Sequence, residues 1–363
     1  MNVWRIVALV AAGIAYGFIA PGKFAYALGH ATLYVFLPPL LFEAAWNLNF
    51  RAVVRQWPAI ATLAGPGVLL TALIVAGALA VIRVPFATAL LAGAILSATD
   101  PIAVVAIFRR LKVPKTLSTI VEAESLFNDA VAVILYRGVL ITIAVGPTFA
   151  ALGLVTVMSV GGALAGIGLG VLGAFGAARA LRHAPGAWAQ ILATAICAYG
   201  SYYAADVLHL SGVSAVIACG IALRHFERRR IAPDIAEDVN RFWDLAALAA
   251  NAIVFFMVGA ALRLGDVMRD PLFVIATLAG VALARFAVAG LLLPTGYPRE
   301  WLDVVRAAAM RGALSIALAL SLPHGMPYRA EIVGAAFAVA LATILSGAFT
   351  VPQVVARAAR VRR

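Results

Sequence analysis

Charge is what this sequence has least of. Asp, Glu, Lys and Arg make up 12% of its 363 residues, 64% are hydrophobic, and mean hydropathy is +1.01. A soluble domain carries roughly a quarter charged residues, so an ordinary water-soluble fold is excluded. Cysteine is nearly absent: Cys197 and Cys219 lie in apolar stretches without CxxC spacing. That excludes a disulfide framework and leaves two inert core thiols. The five histidines are scattered, so no metal centre built on them is expected. There is no long polar segment, no visible nucleotide site and no GxGD motif. These absences argue against a soluble appendage, a nucleotide-driven pump and an intramembrane aspartyl protease.

What fills the chain instead is a succession of apolar runs near bilayer length. Windows and breakers predict an all-α polytopic membrane protein of about twelve spans: 4–20, 26–46, 57–82, 86–108, 116–137, 151–178, 187–206, 211–224, 242–262, 272–294, 301–322 and 332–352. Residues 4–20 read as a retained first span rather than a cleaved signal, because no small-x-small site follows. The net charge of +12 would suggest nucleic acid in a soluble chain. Here the positive-inside rule accounts for it, and no nucleic-acid partner is expected. With this span order only Lys23, Arg83, Arg263, Arg269 and Arg329 fall opposite the termini, so both termini are expected in the cytoplasm. The stretch from His225 to Arg241, mixed in charge and containing Pro233, reads as a cytoplasmic linker or interfacial helix.

A weak internal symmetry runs through the spans. Span four is interrupted at Thr99-Asp100-Pro101, and span eleven, seven later, carries Arg311-Gly312 and Ser315 before Pro323. An odd offset gives opposite orientations, as inverted repeats require. Residues 1–363 then form a single transport domain: a first repeat over 4–137, a connector over 151–178 and a second repeat over 187–352. Span seven lacks a partner in this pairing, as if one N-terminal helix were absent.

The scarce charges sit where they cost most. A charge at the centre of a spanning helix costs roughly 2.5–3.5 kcal/mol even on lenient insertion scales, yet span five holds Glu124 and Asp129 and span four holds Asp100. Pro101 removes a backbone donor and disfavours helix just before it. Freed carbonyls near Thr99 could then coordinate a cation, while Asp100 caps the following half-helix. On span five, Ser125 and Asp129 lie four apart on one face, with Glu124 and Asn128 as a second pair on an adjoining face. Carboxylate, hydroxyl and carbonyl oxygens make an all-oxygen site suited to a hard cation such as sodium. Asp129 can bind a proton instead, and one carboxylate that cannot hold both is the minimal apparatus for exchange. Arg285 and Arg311 lie deep in spans ten and eleven and need anionic partners among Glu43, Asp100, Glu124 and Asp129. Glu122 lies nearer the cytoplasmic end, solvated or lining the mouth; Glu43 is read as a mouth or ligand residue.

At these residues the chain resembles the monovalent cation:proton antiporter family, the sodium/proton exchangers of NhaP type. The matching stretches are LPPLLFEAAW (37–46), SATDPIAVVAIF (97–108), EAESLFNDAVAVILY (122–136), SGVSAVIACGI (211–221), a spaced Phe242, Trp243, Asn251, Phe255 and Gly259, and MRGALSIALALSLP (310–323). The resemblance implies an inverted-repeat fold with two crossing broken helices, spans four and eleven, working by alternating access. It makes Asp129 the shared seat of Na+ and H+, with Thr99, Ser125 and Glu43 as ligands and Asp100 as support. Asn128 stands where electrogenic relatives carry a second Asp, which implies electroneutral one-for-one exchange. Glu124 would form a structural ion pair with Arg285, and Arg311 would lie in the crossing. No cofactor is implied beyond the transported ions. A homodimer is implied, although the chain starts one helix late and that helix often joins the dimer contact in similar proteins. The preference for Arg over Lys fits a bacterium of high GC content, and the expected location is its inner membrane. Within the class the alternative is a K+-selective exchanger, with Li+ a further cation to compare; from another class it is a passive cation channel.

Overall fold

The computed structural model describes residues 3–19, 32–111, 113–146, 149–181, 186–227, 233–262, 264–292 and 297–360. Its elements are helices: α1 (Val3–Ile19), a π-helical turn (Thr32–Phe36), α2 (Leu37–Asn47), α3 (Phe50–Arg55), α4 (Trp57–Ala64), α5 (Pro66–Val81), α6 (Phe86–Ser97) and α7 (Ile102–Leu111). There follow α8 (Lys115–Val145), α9 (Phe149–Leu181), α10 (Ala187–Val207), α11 (Gly212–Glu227) and α12 (Pro233–Ala261). The chain ends with α13 (Leu264–Arg269), α14 (Pro271–Leu292), α15 (Arg299–Ala307), α16 (Ala313–Leu320) and α17 (Arg329–Arg360). Among the described residues, six helices are long and apolar enough to cross a membrane, and shorter apolar helices accompany them. On α9 and α10 large apolar side chains such as Leu164, Leu172, Phe175, Leu192 and Ile196 are exposed. Hydrocarbon accepts that surface, and helices satisfy their own backbone groups there.

The chain divides into two compact units. One comprises Met1–Thr32, Arg51–Leu140 and Ala252–Arg363; the other comprises Leu33–Phe50 and Ile141–Asn251. In the first unit, small residues bring backbones together. A Cβ on Gly13 of α1 would lie 2.0 Å from the Phe256 carbonyl oxygen of α12, and one on Gly259 would lie 2.1 Å from that of Val10. Lipid tails are as apolar as leucine, so close backbone approach is a principal source of helix association here. Around these contacts Ile6, Val10, Phe108, Val121, Phe255, Trp301 and Val305 belong to one buried cluster. Tyr136 of α8 and Ser321, just past α16, share a hydrogen bond of 2.9 Å.

The second unit uses the same device between α9 and α11. A Cβ on Gly170 would lie 2.1 Å from the Ala215 oxygen, and one on Gly166 would lie 2.6 Å from that of Ser211. Trp243 packs 4.5 Å from Phe42 and donates its ring N–H to Thr194 Oγ1 at 3.0 Å. The π-helical turn is tied by tyrosines of α10: Tyr203 donates to the Tyr34 carbonyl and Tyr199 to that of Val35, both at 2.9 Å.

Of the two readings of residues 225–241, linker or interfacial helix, the described residues are helical. Residues 228–232 lie outside the described residues, but α12 already begins at Pro233, well before the predicted 242. Proline is well suited to a first helical position, because its missing N–H would be unpartnered there anyway. The charged residues Glu237, Asp238 and Arg241 therefore occupy the opening turns of the helix. The start of the second predicted span, 26–31, also lies outside the described residues.

Candidate functional site

The site is assembled where two helical spans of the first unit break. The first runs as α6, leaves helix after Ser97 and resumes as α7 at Ile102. The second runs as α15, leaves helix after Ala307 and resumes as α16 at Ala313. The broken stretches meet through backbone carbonyls. The Asp100 amide donates to the Met310 carbonyl at 2.8 Å, and Ser315 Oγ donates to that of Ala98 at 3.4 Å. Gly312 is required by the crossing, since a Cβ there would lie 2.1 Å from Asp100 Oδ2. Asp100 caps the resumed helix, its Oδ1 accepting the Ile102 amide at 2.9 Å. Two helix C-termini and two helix N-termini thus face one spot, and their partial charges offset one another.

Above the first break lies α8. Asn128 holds Thr99 at two points: its Oδ1 accepts the Thr99 amide at 3.2 Å and its Nδ2 donates to Thr99 Oγ1 at 2.6 Å. Ser125 Oγ donates to the Thr99 carbonyl at 2.5 Å and accepts from Thr99 Oγ1 at 3.2 Å. On α8, Ser125 and Asn128, three apart, both engage Thr99. Asp129 stands beside this clasp, within electrostatic reach of Asp100 and Arg311. Its Oδ1 is buried without a hydrogen-bond partner among the described residues, although the residue as a whole is partly accessible. No ion pair to Asp129 occurs among the described residues.

The two deep arginines differ. Arg285 donates from Nη1 to Glu124 Oε1 at 2.7 Å and from Nε to the Val305 carbonyl at 2.9 Å, with a further contact from Nη2 to that carbonyl. Arg311 is 2% exposed, yet its Nε and Nη1 have no hydrogen-bond partner among the described residues. Glu43 belongs to the second unit, where its Oε1 accepts from Asn47 at 2.6 Å. Glu122 is partly buried and accepts from Ser118 at 2.5 Å. Thr343 of α17, which accepts the Arg311 amide at 2.9 Å, was not legible in the sequence. A threonine in an apolar span carries no signal of its own.

Comparison with known proteins places this geometry. The model of the sodium/hydrogen exchanger transmembrane family matches residues 2–357. The low-affinity Na(+)/H(+) antiporter NhaS1 of Synechocystis sp. is 32% identical over 329 residues, covering 86% of this chain and 61% of that protein. The Na(+)/H(+) antiporter ApNhaP of Aphanothece halophytica is 34% identical over 337 residues, 89% of this chain and 64% of its own. NhaH of Halobacillus aidingensis, also a Na(+)/H(+) antiporter, is 32% identical over 333 residues, 88% and 81% respectively. The chain thus spans less than two thirds of the length of the first two relatives. The structure of the sodium proton antiporter MjNhaP1 from Methanocaldococcus jannaschii superposes with a TM-score of 0.81 at 21% identity, covering 97% of this chain and 92% of that one. With a family match running almost end to end and relatives above 30% identity, the chain belongs to the sodium/hydrogen exchanger family.

Proposed function

We propose that the protein is a secondary antiporter that exchanges Na+ for H+ one for one, by alternating access at Asp129. The observation that carries this reading is the Asp129 carboxylate itself. One of its oxygens is buried without a hydrogen-bond partner among the described residues, and the residue stays partly accessible beside two broken spans. A charge placed at such cost normally serves an ion path. The oxygens of Thr99 and Ser125 are 3.2 Å apart and keep lone pairs, so with Asp129 they supply the hard donor set sodium prefers. Asn128 is neutral and committed to Thr99, which leaves one carboxylate to alternate between a proton and a sodium ion. The names of the relatives, all Na(+)/H(+) antiporters, support sodium as the cation. The exchanger would sit in a bacterial inner membrane with both termini cytoplasmic, its inverted repeats spanning about 4–137 and 187–352 around a connector at 151–178.

Reconstituted protein with a pH-sensitive dye tests this. An imposed Na+ gradient should drive proton movement, and Asp129→Asn, which can bind neither ion, should abolish it. Full exchange in that variant would refute the assignment. Equal or larger responses to K+ than to Na+ would move the reading to a potassium exchanger.

A further inference from the structure

Residues 308–312 leave helix, so their backbone groups need partners from elsewhere. The Met310 amide is met locally by the Ala308 carbonyl at 2.9 Å, and the Met310 carbonyl by the Asp100 amide. The Arg311 amide instead reaches a side chain 32 residues on, Thr343 Oγ1 of α17, at 2.9 Å. That hydroxyl directs its own proton to its own helix, onto the carbonyls of Val339 at 2.8 Å and Ala340 at 3.1 Å. Its lone pair is therefore aimed at Arg311. One turn on, Gly347 makes room for the neighbouring side chain, since a Cβ there would lie 2.3 Å from Met310 Cε. Two positions of α17 thus cradle two consecutive residues of the crossing.

The guanidinium they steer is unusual. Arg311 and Asp129 act on each other electrostatically, and each keeps a buried polar atom without a hydrogen-bond partner among the described residues. Opposite charges left unpaired in one site gain by closing on each other. Glu124 and Asp129 both attract Arg311, Glu124 the more strongly, while Arg285 repels it and Asp100 repels Asp129, so the guanidinium stands between two acids and its backbone anchor helps set which one it meets. We propose that Thr343 is a positioning residue of the exchange site: by holding the Arg311 amide it keeps the guanidinium off Asp129, leaving that carboxylate open to the transported cation. The inference rests on the exchange reading above and adds a determinant of cation affinity to it. Once the hydroxyl is removed, Arg311 is free to shift and compete with sodium for the same oxygens. Affinity then falls while the machinery that reorients the site is untouched.

Sodium titrations of proton flux in proteoliposomes separate the cases. Thr343→Val should raise the apparent KM for Na+ roughly fivefold, the factor carried by one lost hydrogen bond, with the maximal rate retained. Thr343→Ser, which keeps the hydroxyl, should restore the wild-type KM. In an Arg311→Gln background, Thr343→Val should leave KM where Arg311→Gln alone puts it. An unchanged KM in Thr343→Val, or the same rise with and without the arginine charge, would overturn the proposal. Should Thr343→Val fail to accumulate, Thr343→Ala carries the same expectation in a smaller side chain. Wild-type protein that moves no protons under a sodium gradient sinks the exchange reading, whereas active wild type with a KM indifferent to Thr343 sinks this inference alone.

Discussion

Glu124 and Asp129 sit five residues apart on α8 and meet opposite fates. Glu124 is 3% exposed and clasped by Arg285, whose remaining donors are held by the Val305 carbonyl. Asp129 has no such clasp among the described residues and keeps an oxygen unpartnered. The difference sets one acid to holding structure and leaves the other for the ion-binding role proposed for it. Breaking a buried pair from one side strands the other charge, at a cost of about 3–5 kcal/mol. Glu124→Gln should therefore lower the thermal midpoint in detergent markedly. Adding Arg285→Met, which removes the stranded charge, should recover most of the loss. A single variant as stable as wild type would show that Arg285 finds its counter-charge elsewhere.

At the scale of elements, the crossing depends on glycine at one position. Asp100 cannot retreat from position 312, because its Oδ1 is engaged by the Ile102 amide and its own amide by the Met310 carbonyl. Gly312→Ala should therefore force the two broken stretches apart and cut the maximal exchange rate on the order of tenfold or more, as a misplacement of about 1 Å does at a catalytic site. Gly77→Ala on α5, where a Cβ meets nothing within 4 Å, serves as the control and should exchange like wild type. Unimpaired exchange in Gly312→Ala would mean that the crossing gives way freely. How much of this was legible beforehand follows from which forces act locally. Pro101 announces the first break, because proline disfavours helix on its N-terminal side wherever it stands. Asp129 and Glu124 announce themselves by the cost of charge in an apolar span. The partners do not: Met310 to Asp100 and Arg311 to Thr343 are hydrogen bonds set by tertiary placement, with no local pattern to read. Charge also hid the continuity of α12, where Glu237 and Asp238 set the predicted span at 242 while the helix opens at Pro233.

For the whole molecule the question is how much charge one cycle moves. Both broken stretches, Asp129, Asn128 and the two deep arginines lie within the first compact unit. Asn128, beside Asp129 in sequence, is neutral and spends both ends of its amide on Thr99. Under the proposed one-for-one exchange, a cycle would carry one monovalent cation on Asp129 in one direction and one proton on the same carboxylate in the other, so no net charge would cross. A membrane potential acts on net charge, at about 2.3 kcal/mol per elementary charge for each 100 mV. For an exchange that moved one net charge, that energy would change the driving force close to fiftyfold. Proton flux in proteoliposomes under a fixed sodium gradient should therefore be the same at zero and at an imposed potential of about 100 mV of either sign. Flux that speeds up with one polarity and slows with the other would mean that a further charge moves with the cycle, and Arg311, whose Nε and Nη1 lack hydrogen-bond partners among the described residues and which interacts electrostatically with Asp129, would be the first group to examine.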